Sequence, residues 1–278
     1  MGVIDTAAPA SEILTREHLA SAMTLSVEAG WNQTPEDWAL FISLGLTRGI
    51  FVEGKLIATA AAVPYEPRLG YVSMVLVTPR HRNRGIATAM LRQAVDDLEN
   101  RACTAMLDAT PAGVVVYRRL GFVEVFPLRR WQGEAGKVRG AVLRPAAPKD
   151  VEGLVTLDAA AFGASRSFLI RDFLGRASAC ALVSDSGFVV RRRGFLADQI
   201  GPLVAADADG AQQLLGAALN LRAGPVFLDV PDHQHSLVSM LEALGFSVQR
   251  PFTRMAQRLS TPPGEPAKLF VTAGPEFG

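Results

Sequence analysis

Cysteine and histidine are scarce in this chain: two cysteines and four histidines in 278 residues. Cys103 and Cys180 lie far apart, in apolar surroundings, with no CxxC and no neighbouring histidine, which excludes a disulfide framework or a zinc ribbon and suits buried thiols in a reducing compartment. His18, His81, His233 and His235 show no HExxH or comparable ligand spacing, so no metal is expected. Charge of one sign is also missing. Lys plus Arg number 28 and Asp plus Glu 27, so the overall field favours neither nucleic acid nor a membrane surface. No stretch reaches the roughly 18 consecutive apolar residues of a membrane span, and the first residues lack a basic segment followed by an apolar core. The expectation is a soluble cytoplasmic protein, monomer or homodimer. Neither G-x-x-x-x-G-K-[ST] nor G-x-G-x-x-G occurs, which removes the usual signals for nucleotide hydrolysis and dinucleotide chemistry.

What is present is an alternation of helical and strand patterns. Residues 15–29 carry apolar side chains at helical spacing, closed by Gly30. Thr34, Pro35 and Asp37 predict the start of a second helix through a capping box running to about Leu44. Two strands around a Glu53-Gly54 turn follow, then a third strand LGYVSMVLV. A helix over 86–101, the strand ACTAMLDAT, a short helix ending at Gly121 and the strand FVEVFPLRRWQ complete the order. Residues rich in Gly, Pro and charge separate this from a second region, so the expected organisation is an N-terminal unit over 1–135, a linker over 136–147 and a C-terminal unit over 148–278. The second unit repeats the first. Aligning Val75-Leu76-Val77 with Pro202-Leu203-Val204 brings Leu91 opposite Leu215, Asp108 opposite Asp229, and LGF at 120–122 opposite LGF at 244–246. Two α/β (α+β) units are expected, each a mixed, mostly antiparallel twisted sheet with helices on both faces.

The stretch VTPRHRNRGIATAML concentrates cationic side chains where a strand hands over to a helix. A helix beginning after Gly85 leaves several N–H groups unpaired at its positive end, and a glycine there lets a phosphate oxygen approach the backbone. Arg82-x-x-Gly85-x-Ala87, with Tyr117 and Leu120-Gly121-Phe122 downstream, resembles the GNAT superfamily of acyl-CoA-dependent N-acyltransferases over about residues 15–131. The resemblance implies that Arg82, Asn83, Arg84, Gly85, Ile86, Ala87 and Thr88 hold the diphosphate of acetyl-CoA as co-substrate. It further implies that Val75, Leu76 and Val77 pair with the pantetheine arm, with a main-chain N–H near Leu76 facing the thioester oxygen. Tyr117 stands where relatives carry a proton-donating tyrosine, and Thr110 where many carry an asparagine that contacts the arm.

The strand YVSMVLV has no carboxylate, although relatives often place one there as a base. Asp108 is the first candidate, with Glu53 and Asp37 behind it and a water chain as the alternative. Trp31 and Trp38 flank the loop that lines the acceptor site in similar enzymes. Asp229, with His233 and His235, lies at the matching edge of the second unit, where a substrate held between the units is within reach. Through IGPLVA, FLDVP, LGF and AGPEFG that unit resembles the degenerate C-terminal GNAT-type domain of tandem members; it has lost the R-x-x-G-x-A segment and carries Asp207 and Asp209 instead, so it is not expected to hold acyl-CoA. Arg191, Arg192 and Arg193 read as a charged hairpin. The implied activity is acetyl transfer to a small-molecule amine by direct attack; the alternatives are an acyl-CoA-binding sensor without turnover and acylation of a protein amine.

Overall fold

A computed structural model describes residues 10–136, 138 and 141–278. The first half runs β1 (Glu12–Ile13), α1 (Leu19–Glu28), α2 (Pro35–Ser43), β2 (Thr47–Val52), β3 (Lys55–Tyr65), β4 (Leu69–Val77), α3 (Ile86–Glu99), β5 (Thr104–Ala109), α4 (Pro111–Arg118) and β6 (Phe122–Ala135). The second runs β7 (Arg144–Pro145), α5 (Val151–Phe162), α6 (Ser167–Gly175), β8 (Cys180–Ser184), β9 (Gly187–Arg192), β10 (Asp198–Ala205), α7 (Ala208–Leu219), β11 (Gly224–Pro231), α8 (His235–Ala243), β12 (Ser247–Gln257) and β13 (Leu269–Val271). Through α8 and β12 the two halves present their elements in the same order, as a duplicated unit requires.

Local chemistry sets the boundaries. Thr34 caps α2: its backbone N–H donates to Asp37 Oδ2 (2.9 Å), and its hydroxyl accepts from the Asp37 N–H (3.3 Å). Glu53 and Gly54 both adopt left-handed backbone (φ 50° and 72°), as a two-residue hairpin turn between β2 and β3 needs. The two faces of β3 pack differently. Ala58, Ala60 and Ala62 meet α3 through Met90, Leu91 and Leu98, whereas Ala61 and Val63 face the core of α1 and α2 with Leu25 and Phe41.

All the strands form one sheet in the order β1-β2-β3-β4-β5-β12-β6-β11-β10-β9-β8-β7, with β13 beside β10. The mixed, mostly antiparallel architecture is as expected; the exchange at its centre carried no sequence signal. The final strand of each half crosses to the other, so β12 pairs with β5 and β6 pairs with β11. Each exchanged strand brings a buried arginine to a buried aspartate of the opposite half. Arg254 on β12 donates from Nε and Nη2 to the two oxygens of Asp108 (2.9 Å each). Arg130 on β6 grips Asp229 in the same bidentate way (2.9 and 2.8 Å). These matched pairs fix the register in which the halves interlock. Within the connection expected at 136–147 the structure places only β7, and positions 137, 139 and 140 lie outside the described residues.

Arg191 and Arg192 are buried rather than set on a surface hairpin. Arg191 pairs with Asp198, and Arg192 donates to the carbonyls of Gly201 (3.1 Å) and Ala273 (2.8 Å). Among the described residues no helix is long and apolar enough to cross a membrane.

Candidate active site

Strands β4 and β5 are parallel neighbours only over Leu69–Tyr71 and Thr104–Met106, and beyond Tyr71 they part. A bulge accompanies the parting: Met74 takes φ 52°, and the register against β3 shifts between Thr59 and Ala61. Thr59 secures it by donating its hydroxyl to the Met74 carbonyl (2.8 Å). The side of β4 that faces β5 therefore has no strand partner over its last residues.

A cleft of about 620 Å³ opens there, lined by Val75, Leu76, Val77, Arg82, Asn83, Gly85, Ile86, Ala87, Thr88 and Thr110 among others. Its floor is the start of α3. Gly85 is the N-cap in left-handed conformation (φ 77°), and no side chain caps the helix. The first helical bond is Ala89 N–H to Gly85 O (3.0 Å), so the N–H groups of Ile86, Ala87 and Thr88 have no partner within the helix. Arg82 donates from Nε to the Val77 carbonyl (3.0 Å), tying the loop to the strand end. Of the expected cofactor residues Arg84 alone is exposed outside this lining, and Tyr117 faces the adjoining cavity.

The second half shows what becomes of such a site when it closes. Strands β10 and β11 pair over only three residues and then part in the same way, but β13 fills the gap, with Leu203 opposite Val271 and Val204 opposite Leu269. Asp207 caps α7 by accepting from the Gly210 N–H (2.8 Å). β13 and the Asp207 cap thus occupy the places that stand open in the first half.

Beside the open cleft, and sharing Trp31, Val75 and Thr110 with it, lies a cavity of about 150 Å³. Tyr117 lines it from α4. Burial pushes the Tyr117 hydroxyl above its ordinary pKa, so it stays protonated near neutrality. Its ring lies over Gly113, where a Cβ would come within 2.9 Å of Cε2, so glycine at this position makes room for the tyrosine. Trp31 and Gln33 reach the cavity from a loop that the second half holds in place. Asn32 donates to the Ala197 carbonyl (3.0 Å) and accepts from the N–H groups of Leu196 (2.8 Å) and Ala197 (3.0 Å).

The far wall comes from the end of the chain. Phe277 is buried and stacks on Phe41, with ring centroids 4.9 Å apart, and this turns the neighbouring Glu276 into the cavity. Burial pushes the Glu276 carboxyl up to about 7; Arg192 opposes the rise, Asp37 adds to it, Arg130 opposes it and Asp229 adds to it. Glu276 Oε1 accepts from Arg192 Nη2 at 3.4 Å, while buried Oε2 has no partner among the described residues. Sequence reasoning missed this residue. Its signal was a lone carboxylate in the otherwise apolar run LFVTAGPEFG.

Several expected site residues serve elsewhere. Asp108 lines the cavity, but both its oxygens accept from Arg254, which argues against a role as proton acceptor. Glu53 is at an exposed hairpin turn, and Asp37 is divided between its helix cap and Arg176 Nη1 (2.7 Å). Trp38 is fully buried with its indole N–H donated to Ser26 Oγ (2.9 Å), so Trp31 alone of the pair reaches the cavity. Asp229 is held by Arg130 and Gln199, and neither it, His233 nor His235 lines the cavity.

A sheet splayed beside a helix N-terminus, uncapped in the first of two fused halves and capped by Asp207 in the second, defines the fold of a tandem acyltransferase. Residues 11–122 match the acetyltransferase (GNAT) family model and residues 154–271 an acetyltransferase (GNAT) domain model. The chain belongs to the GNAT acetyltransferase family, whose members are acyltransferases. It is 24% identical over 246 residues to the uncharacterised N-acetyltransferase YitH of Bacillus subtilis, covering 84% of this chain and 86% of that one. In fold it is similar to a candidate acetyltransferase from Pyrococcus horikoshii (TM-score 0.82, 19% identity, 97% of this chain and 95% of the other). It is also similar to a tandem GNAT protein from the clavulanic acid biosynthesis pathway (TM-score 0.60, 14% identity, 89% and 97%).

Proposed function

We propose that this protein transfers the acetyl group of acetyl-CoA to the amine of a small molecule by direct attack in a ternary complex, acting in a reducing cytoplasm. The junction of cleft and cavity at Trp31, Val75 and Thr110 carries this reading, because it joins a place for an extended anionic co-substrate to an enclosed place for an acceptor. The N-terminal half supplies the cofactor site: the amides of Ile86, Ala87 and Thr88 take the diphosphate with Arg82 nearby, and the free edge of β4 takes the pantetheine arm. The internal precedent is β13, an extended segment lying in the equivalent gap of the second half.

In the reaction Glu276 accepts a proton from the acceptor ammonium, and the neutral nitrogen forms a bond to the thioester carbonyl carbon. The carbon–sulfur bond then breaks, the departing thiolate takes the Tyr117 proton, and the second proton, shed by the nitrogen as it becomes a neutral amide, returns Tyr117 to its protonated form through solvent. An N–H near Leu76 stabilises the oxyanion between these steps. A cavity of about 150 Å³ matches a ligand about the size of benzene, which favours a small acceptor over a folded protein surface.

Release of free thiol from acetyl-CoA over a panel of small amines tests the reading. Tyr117→Phe is expected to lower kcat by about 10²-fold, the lower end for a lost general acid, because a thiolate leaves more readily than an alkoxide. Cofactor binding with no turnover on any amine would assign the protein to acyl-CoA sensing instead.

A further inference from the structure

Unsatisfied polar atoms gather in the acceptor cavity. Gln33, Ser73 and Glu276 are 4%, 6% and 7% exposed, all three line it, and among the described residues Gln33 Oε1, Ser73 Oγ and Glu276 Oε2 are each buried without a hydrogen-bond partner. Buried oxygens left unpaired cost free energy, and each of these three can accept a hydrogen bond, so the chemistry they await is a group rich in N–H. An ammonium or amine fits.

A cation lies in the same cavity. Arg250 lines it from β12, directly across the strand pair from Arg130. Arg130 is neutralised by Asp229, whereas among the described residues Arg250 has no ion-pair partner and spends only its Nε–H, on Gln249 Oε1 (3.1 Å). Burial, and then Arg130, lower the pKa of this guanidinium, and Asp229 opposes them only in part. A planar guanidinium with free N–H groups is the side chain best suited to a carboxylate.

We infer that the acceptor is a small aminocarboxylic acid, its amine received by Gln33, Ser73 and Glu276 and its carboxylate by Arg250. This rests on the acetyl-transfer reading and adds to it the class of substrate. The dimensions agree, since a cavity of about 150 Å³ leaves room for an amine and a carboxylate separated by only a few atoms.

The test uses the full chain loaded with coenzyme A and three acid–amide pairs: glycine, β-alanine and γ-aminobutyrate, each beside its neutral carboxamide. Calorimetric titration is expected to show at least one acid binding about tenfold or more tighter than its amide, the preference a charge-assisted pair confers. Arg250→Met should abolish that preference, and Arg250→Lys should keep part of it. Should Arg250→Met fail to fold, the acid–amide comparison on the wild type and Arg250→Lys decides. Amides binding as well as acids, an unchanged preference in Arg250→Met, or no binding by any acid would overturn the inference. Thiol release in the same panel separates the two readings: acids that bind selectively without turnover refute acetyl transfer and leave the anion subsite standing, whereas turnover of amides and acids alike does the reverse.

Discussion

Glu276→Gln is expected to lower kcat by about 10²- to 10⁴-fold while leaving the affinity for coenzyme A unchanged. Glutamine keeps the shape and the oxygen but cannot take the amine proton. The wild-type rate should rise as pH passes through about 7, where the raised carboxyl ionises, and that limb should disappear in the variant. Stability moves the opposite way. A carboxyl raised in the folded state contributes stability that is fully present below its unfolded pKa and is lost as pH climbs through its folded value of about 7. Denaturation measured from pH 5 to pH 8 should therefore show a decline that Glu276→Gln lacks. A variant as active as the wild type, with the same pH profile, would remove Glu276 from the reaction.

Arg254→Met is expected to destabilise the fold by about 3–5 kcal/mol, because it leaves the Asp108 carboxylate buried without its guanidinium. Arg254 also donates to the Tyr71 hydroxyl (3.4 Å), so the loss reaches the strand that begins the splay. Replacing both partners by apolar residues, Asp108→Leu with Arg254→Met, should recover much of that loss, since two well-packed apolar groups avoid the desolvation cost. Urea denaturation of the single and double variants measures the difference. A single variant within about 1 kcal/mol of the wild type would show that the interlocking strands do not depend on this pair.

Much of this architecture was legible in the chain because local chemistry determines it. Thr34 and Asp37 mark a helix start, Glu53 and Gly54 a hairpin, and LGYVSMVLV a strand whose bounds match β4. The handover at Gly85 was equally readable, since the need for a residue that tolerates left-handed backbone at the start of α3 is local. The strand exchange was not. Swapping β6 with β12 preserves every apolar alternation and changes only which strand lies beside it. Asp108 was named for its place two residues before Thr110 on the same strand face, and what it shares with its repeat partner Asp229 is an arginine from the opposite half. Glu276, Gln33 and Arg250 converge from three distant segments, and only tertiary packing brings them together.

The most direct measurement is a calorimetric titration of coenzyme A into the wild-type protein and Gly85→Glu. The substitution forces a left-handed glycine position (φ 77°) onto a residue that resists it and sets a carboxylate at the proposed diphosphate site. The wild type is expected to bind one coenzyme A per chain, and the variant about 10²-fold more weakly or not at all. No heat of binding with the wild type, or equal affinity in both proteins, would contradict a cofactor site at the start of α3.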